Sequence, residues 1–445
     1  MILKYLSFIV GIVWAYSIIR TQSIFSKKTG LIFKIFICVF IGSNAGAGTA
    51  TNVNSVVAIG GASYYGNKGD NSGTSGGVFI GYGVGYSTSR SSGSVMIGYE
   101  AGVSYSGIGK GEGTTLVGTR AGYQSNDDAI NNTAVGTYSL YNNTAGERNT
   151  VMGRNAGFEI TTGDNNTLIG YNTQGPLTGH SNLAIGAGAM QDVDAGSTSG
   201  DSDHNVFIGF EAGGGTWADA KSEFNVAVGN YTLNGALNGA TQNVAMGWGA
   251  LSSTTTADNN VAIGYLAGNG LTTSSENVAI GKNAMAVHTT GTSNIAIGSS
   301  AMDNTDAGST ALSSTENIFM GRNAGGGTWA DAASNYNIAI GGLSMDDALD
   351  GALGNTSLGY YTLSGINTGD YNTAVGYQAG INVTTGGNNA FVGKDTGFQM
   401  RSGSMNVAIG DSALYTSRGS SNNVAIGPSA GQNITTGGNN VLIGY

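Results

Sequence analysis

The chain has 445 residues, of which 77 are glycine, two proline and one cysteine, and only 10% are charged. Glycine far above the usual ~7%, without a collagen period or a proline-rich tract, excludes a triple helix and a stiff linker, and the evenly scattered Val, Ile, Ala and Tyr exclude a disordered tail. All five charges in residues 1–41 are basic, leaving 12 basic against 27 acidic side chains, net −15, in the remainder. That surface repels nucleic acid.

The first predicted element in the chain is apolar. Residues 5–19 (YLSFIVGIVWAYSII) lie between Lys4 and Arg20, and a second run, LIFKIFICVFI at 31–41, follows Lys27 and Lys28. Two readings stand side by side for residues 1–38: a long signal peptide with Gly42–Ala50 as its cleavage zone, or a signal anchor at 5–19. An upstream extension with no role in the working protein is the third. Cys38, the only cysteine, falls in this segment, so the remainder holds neither a disulfide nor a thiolate metal site.

From residue 39 to 445 the chain is one array of a short repeat. Its best-preserved unit is N-V-A-I-G-x-x-A, as in Asn260–Ala267 and Asn406–Ala413. Aligned on the glycine, about 23 copies run from Gly42 to Gly444, most often 17 residues apart with excursions to 23. A fixed period on this scale predicts an all-β fold, a parallel β-roll or β-solenoid of about 23 coils. In one copy, Asn260, Val261, Ile263, Gly264 and Ala267 are the structural positions; in another they are Asn406, Val407, Ile409, Gly410 and Ala413. Val407 and Ile409 are two apart, so on a strand they share a face, taken as the inward one, with Ala408 outward.

The glycine permits a turn or a close backbone approach. Three residues later a small residue recurs. The next position is Leu or Met, or else Gly followed by an apolar residue three further on, such as Ile160, Leu271 or Val383. The Asn before each strand is expected to stack on its counterpart in a side-chain amide ladder. Turns such as TTGGNN at 384–389 close the coil. At ~4.8 Å per coil the array makes a rod on the order of 105 Å. Its small outward residues predict burial against identical chains, as a parallel homotrimeric fibre.

A longer repeat overlies the short one. GGGTWADA recurs at 213–220 and 325–332, and the steps 23, 20, 18 and 17 recur with it. Long coils with loops are expected near 187–225 and 299–337. The array stops inside a repeat at Gly444–Tyr445, which points to a truncated C-terminus.

The N-x-A-I-G-x-x-A unit resembles the head repeat of YadA-like trimeric autotransporter adhesins, and the resemblance covers residues 39–445. It implies a trimeric parallel β-roll that binds host matrix or cell surfaces; only structural positions carry over, and no binding residue does. The family's coil is shorter than this one. The repeat is equally similar to Gly-rich repeats of phage and large-virus fibre proteins. The implied place is the cell surface (outer membrane), the extracellular space or a virion surface.

No catalytic constellation is present, and the chain is expected to be neither an enzyme nor a cofactor or metal binder. His180, His204 and His288 all fall in predicted turns and are read as exposed. GIGKGEG at 107–113 lacks the helix and the G-K-[S/T] of a phosphate loop. Asp192, Asp194, Asp201 and Asp203 share a long coil, but the equivalent loop keeps only Asp306, which argues against calcium. The candidates for a ligand or chain–chain interface are aromatic. Tyr82, Tyr99, Tyr171, Phe210, Trp248, Tyr265, Tyr360 and Tyr377 each follow the landmark glycine and predict a stripe. Trp217 and Trp329 in the duplicated loops are either adhesive tips or covers for their own coils. The expected function is a fibrous adhesin attaching to host cells, matrix or surface glycans. The alternative is a non-adhesive spacer or fibre shaft. The expected partners are identical chains and a host protein or glycan, with membrane contact only through the N-terminal segment or a C-terminal anchor.

Overall fold

The structure, a computed structural model, describes residues 17–22, 36–47, 55–65, 76–86, 92–103, 113–125, 129–175, 178–191, 201–304, 313–330 and 332–445. It is an all-β parallel solenoid, and most steps between its strands are about 17 residues. Two compact units are distinguished. The first comprises Met1–Gln191 with Gly200–His204, and the second Asp192–Ser199 with Asn205–Tyr445.

Unit one begins with β1 (Ser17–Gln22), antiparallel to β2 (Phe36–Ile41). The Val39–Ile41 end of β2 then pairs in parallel with β3 (Val57–Ile59), the first of the three-residue strands. β1 thereby covers an edge that would otherwise present unpaired N–H and C=O groups. The rest of the 1–38 segment, apart from Phe36–Cys38, lies outside the described residues. No helix among the described residues is long and apolar enough to cross a membrane.

In both units each strand meets the next in zero register, so like stacks on like. In unit two, Val261, Ala262 and Ile263 pair with Val278, Ala279 and Ile280. Landmark glycines with a coil stacked above them are required by backbone as well as by turn geometry. Gly264 has φ +140°, a region essentially reserved for glycine, and a Cβ there would stand 2.5 Å from the carbonyl oxygen of Gly281 in the next coil.

The sidedness of the strand is the reverse of the sequence expectation. Ala408 is fully buried, Val407 only partly, and Ile409 is 39% exposed; the same inversion holds for Ala262 between Val261 and Ile263. The physical reason is the narrowness of the coil, which has room for one side chain from each strand. That chain comes from the middle position, two before the glycine. The branched residues flank it outside, where each rests on its counterparts above and below.

The interior is filled by reciprocal volumes. Four residues after the glycine the chain is left-handed, as at Leu251 (φ 51°) and Met285 (φ 50°). Where it carries Leu or Met the middle strand residue is small, whereas the coils of Ala262 and Ala374 carry Gly there and fill the core from Leu271 and Val383. Where the middle residue is Phe, that position is Gly. A Cβ on Gly213 would lie 2.6 Å from the Phe207 ring, on Gly325 2.5 Å from Phe319, and on Gly397 2.5 Å from Phe391. The third position of the core, Ile160, Leu271 or Val383, is buried as expected, and so is the small residue Ala267 or Ala413.

The amide ladder forms from Asn132 onward; Val56, Gly77, Ser94 and Thr114 hold its position in the earlier coils. Asn260 Oδ1 accepts from the backbone N–H (2.9 Å) and the Nδ2 (3.3 Å) of Asn277, while Asn260 Nδ2 donates to Asn243 Oδ1 (3.1 Å) and to the Ser274 carbonyl (2.8 Å). Every polar valence of the buried amide is used. The same pattern binds Asn406 to Asn389 and Asn423.

Candidate interaction surface

What the narrow core leaves outside is chemically ordered. Because the strand turns its branched residues outward, unit two presents a strip of Ile340, Leu358, Val392, Ile409 and Ile426, all exposed; Met246 and Ile263 lie in the same row. A contiguous exposed apolar strip marks a surface suited to interaction.

Beyond the glycine, the position directly after it forms a second row. Among small and neutral residues, it includes Tyr82, Tyr99, Arg154 and Tyr171 in unit one, and Phe210, Trp248, Tyr265, Lys282, Arg322, Tyr360, Tyr377 and Lys394 in unit two, with Asp411 its one acid. Aromatic and basic residues therefore concentrate in one row of a chain that is acidic elsewhere. Successive rings stack: Tyr82 on Tyr99 at 5.7 Å and 11°, Trp248 on Tyr265 at 5.2 Å and 14°, Tyr360 on Tyr377 at 6.0 Å and 14°. Phe210 and Tyr231 extend the Trp248 patch edge to face. Arg154 lies 6.0 Å over the Tyr171 ring, a cation–π pairing. Stacking along successive coils covers ring faces inside a pair, so a ligand beside the pair meets ring edges and phenol oxygens.

Sequence reasoning missed a third row, five residues after the glycine. Tyr123, Tyr141 and Phe158 stack at 5.0 Å and 3°, then 4.9 Å and 8°, and Phe398 stacks on Tyr415 at 4.9 Å and 3°. Its signal was an aromatic residue recurring at steps of 17 or 18. Also missed was an outer polar ladder two residues before the buried Asn. Asp258 Oδ1 accepts from the Thr241 N–H at 2.6 Å, and the Asp258 N–H donates to Ser275 Oγ at 3.0 Å.

Trp217 and Trp329 are fully buried, so they cover their own coils and present no adhesive tip. Each indole lies edge to face against Phe207 or Phe319, 5.7 Å away, and donates Nε1–H at 3.0 Å to the carbonyl of Gly213 or Gly325. The histidines divide. His180 and His204 are exposed, but His288 is completely buried, a correction to its reading as a turn residue in water. It fills the core position held by Leu271 one coil earlier, with Nε2 3.2 Å from Asn294 Nδ2 of the amide ladder. Burial lowers its pKa to about 4, against a smaller opposing effect of the Gly291 backbone. In the acidic loop, Asp201 pairs with Thr178 and Asp203 with the His180 N–H, while Asp192, Asp194 and Asp306 lie outside the described residues, as do 107–112 of the GIGKGEG turn. No group of three or more His, Cys, Asp or Glu able to hold a metal is found among the described residues.

No family model matches the chain, and no curated protein or solved structure matches it.

Proposed function

We propose that the chain is the repetitive body of an extracellular or virion-displayed adhesive fibre, a homotrimer attaching to host cells, matrix or surface glycans through many weak contacts. The observation carrying this reading is the outward strip of branched residues beside a row in which aromatic and basic side chains replace the prevailing acids. The strip supplies a flat apolar face for identical chains. The neighbouring row supplies repeated rings and cations for a ligand, with no enzymatic step. Light scattering on the purified chain tests the assembly, with three chains per particle expected and a monodisperse monomer overturning it. A glycan and matrix-protein array tests attachment; binding lost in the Trp248→Ala/Tyr265→Ala double variant supports it.

A second reading, a spacer without ligand, is favoured by the stacking itself. Rings that cover each other's faces stabilise neighbouring coils and leave little face for a sugar. An empty array together with an intact trimer selects the spacer.

A further inference from the structure

The tyrosine stacks place phenols in pairs that no structural need of the core explains. Tyr82 and Tyr99 are 59% and 46% exposed, lie on successive coils and stack nearly parallel. Tyr360 and Tyr377 repeat the arrangement in unit two, and Tyr123 and Tyr141 lie 5.0 Å apart at 3° in the other row. Beside Tyr99 lies the Glu100 carboxylate, which Arg120 holds at 2.7 Å and which raises the Tyr99 pKa. The chain has a single cysteine, so no disulfide can join one coil to another. Tyrosine pairs are thus the means the chain has of joining one coil covalently to the next.

We propose that Tyr82–Tyr99, Tyr123–Tyr141 and Tyr360–Tyr377 are sites of oxidative cross-linking, each pair forming an intrachain dityrosine under a peroxide-dependent one-electron oxidant such as a haem peroxidase. Each phenol loses one electron and its hydroxyl proton. The two phenoxyl radicals join through ring carbons ortho to oxygen, one C–C bond forming, and the two displaced ring hydrogens move as protons to the phenolic oxygens. Two tyrosines and one hydrogen peroxide give one dityrosine and two waters. The stack holds both radicals together before either can leave, so coupling within the chain precedes coupling between chains. The product closes a short loop across a coil boundary, as a disulfide would.

The same structure contains its own control. Tyr336 and Tyr371 share a row and are 57% and 60% exposed, but Gly354 occupies the coil between them. The full chain, dilute and folded, is treated with a peroxidase and hydrogen peroxide, then digested and mapped by mass spectrometry alongside dityrosine fluorescence. Cross-linked peptides joining the three named pairs are expected, each lighter by two hydrogens. Tyr99→Phe and Tyr377→Phe, which keep the rings, should each delete one of them. Products distributed by exposure alone, with Tyr336 and Tyr371 as frequent as the stacked pairs, would overturn the proposal. So would a Tyr82 product that survives Tyr99→Phe.

Discussion

The two copies of the 112-residue block, both in unit two, differ in an instructive way. Around the tryptophans they agree: Phe207 with Trp217 and Phe319 with Trp329 meet at the same 5.7 Å, at 61° and 62°. Four coils on, the cores exchange volume between walls. Ala279 with Met285 in the first block becomes Phe391 with Gly397 in the second, and His288 becomes Met400. On the surface the blocks diverge more freely, with Phe210, Tyr231 and Trp248 answered by Arg322, Leu343 and Tyr360. What is held constant is the sum of volumes within a coil, whichever wall supplies it.

The largest effects should come from positions that admit no exchange. Gly264→Ala combines a forbidden φ with a Cβ 2.5 Å from the next coil's carbonyl oxygen; we expect a loss of about 3–5 kcal/mol in denaturant unfolding. Asn277→Ala strips the ladder of Asn294's acceptor and of the donor to Asn260 and Gly291. Several buried groups are left unsatisfied, at a cost of about 3–5 kcal/mol. Loss of under about 1 kcal/mol in either variant would mean that the coils relax far more readily than their register implies.

The volume exchange is tested by moving one block's solution into the other. Met285→Gly alone should cost about 3 kcal/mol as a cavity, and Ala279→Phe alone about 1–3 kcal/mol by overpacking. Combined, they reproduce the Phe391–Gly397 pair and should recover at least about 1 kcal/mol of the sum. Strict additivity would break the comparison.

The repeat, its period and the amide ladder were legible because Asn, Gly and the strand residues recur in the sequence at the spacing the ladder needs. The inward face was not. Period two separates Ala408 from Val407 and Ile409 without saying which face is buried, and hydrophobicity points the wrong way when the core is too thin for a branched pair. The clue was covariation: a residue that trades Ala for Phe while another trades Met for Gly must be inside. The candidate surface was half legible. The row after the glycine was visible, yet Trp217 and Trp329 look the same on paper whether they project or fold back.

An effect of the same order, but confined to acid, is expected at His288. His288 has its pKa lowered from 6.5 to about 4 by burial, so the unfolded chain binds its proton more readily. Stability from this group is whole above pH 6.5 and is lost as pH falls toward 4, amounting to about 3 kcal/mol. His288→Met, which copies Met400, should remove that acid sensitivity while leaving neutral stability within about 1.5 kcal/mol. A wild-type chain and variant with parallel pH profiles would show that the ring reaches water.

The smallest structural effect is reserved for the surface row. Trp248→Ala removes one exposed ring stacked on Tyr265, and should cost about 1 kcal/mol or less. Tyr360→Ala should cost the same or less, since its partner Tyr377 is stacked at a longer 6.0 Å. Neither change reaches the core, so the melting profile and the assembly state should be retained in both. A row kept for coil stability alone predicts that stacking loss is the whole consequence. A row kept for attachment predicts something more: array binding should fall further for Trp248→Ala than for Tyr360→Ala. The first block groups four aromatic side chains there, Phe210, Tyr231, Trp248 and Tyr265, where the second substitutes Arg322 and Leu343 for two of them. Equal loss in both would place attachment in features the blocks share, and no loss in either would remove this row from it.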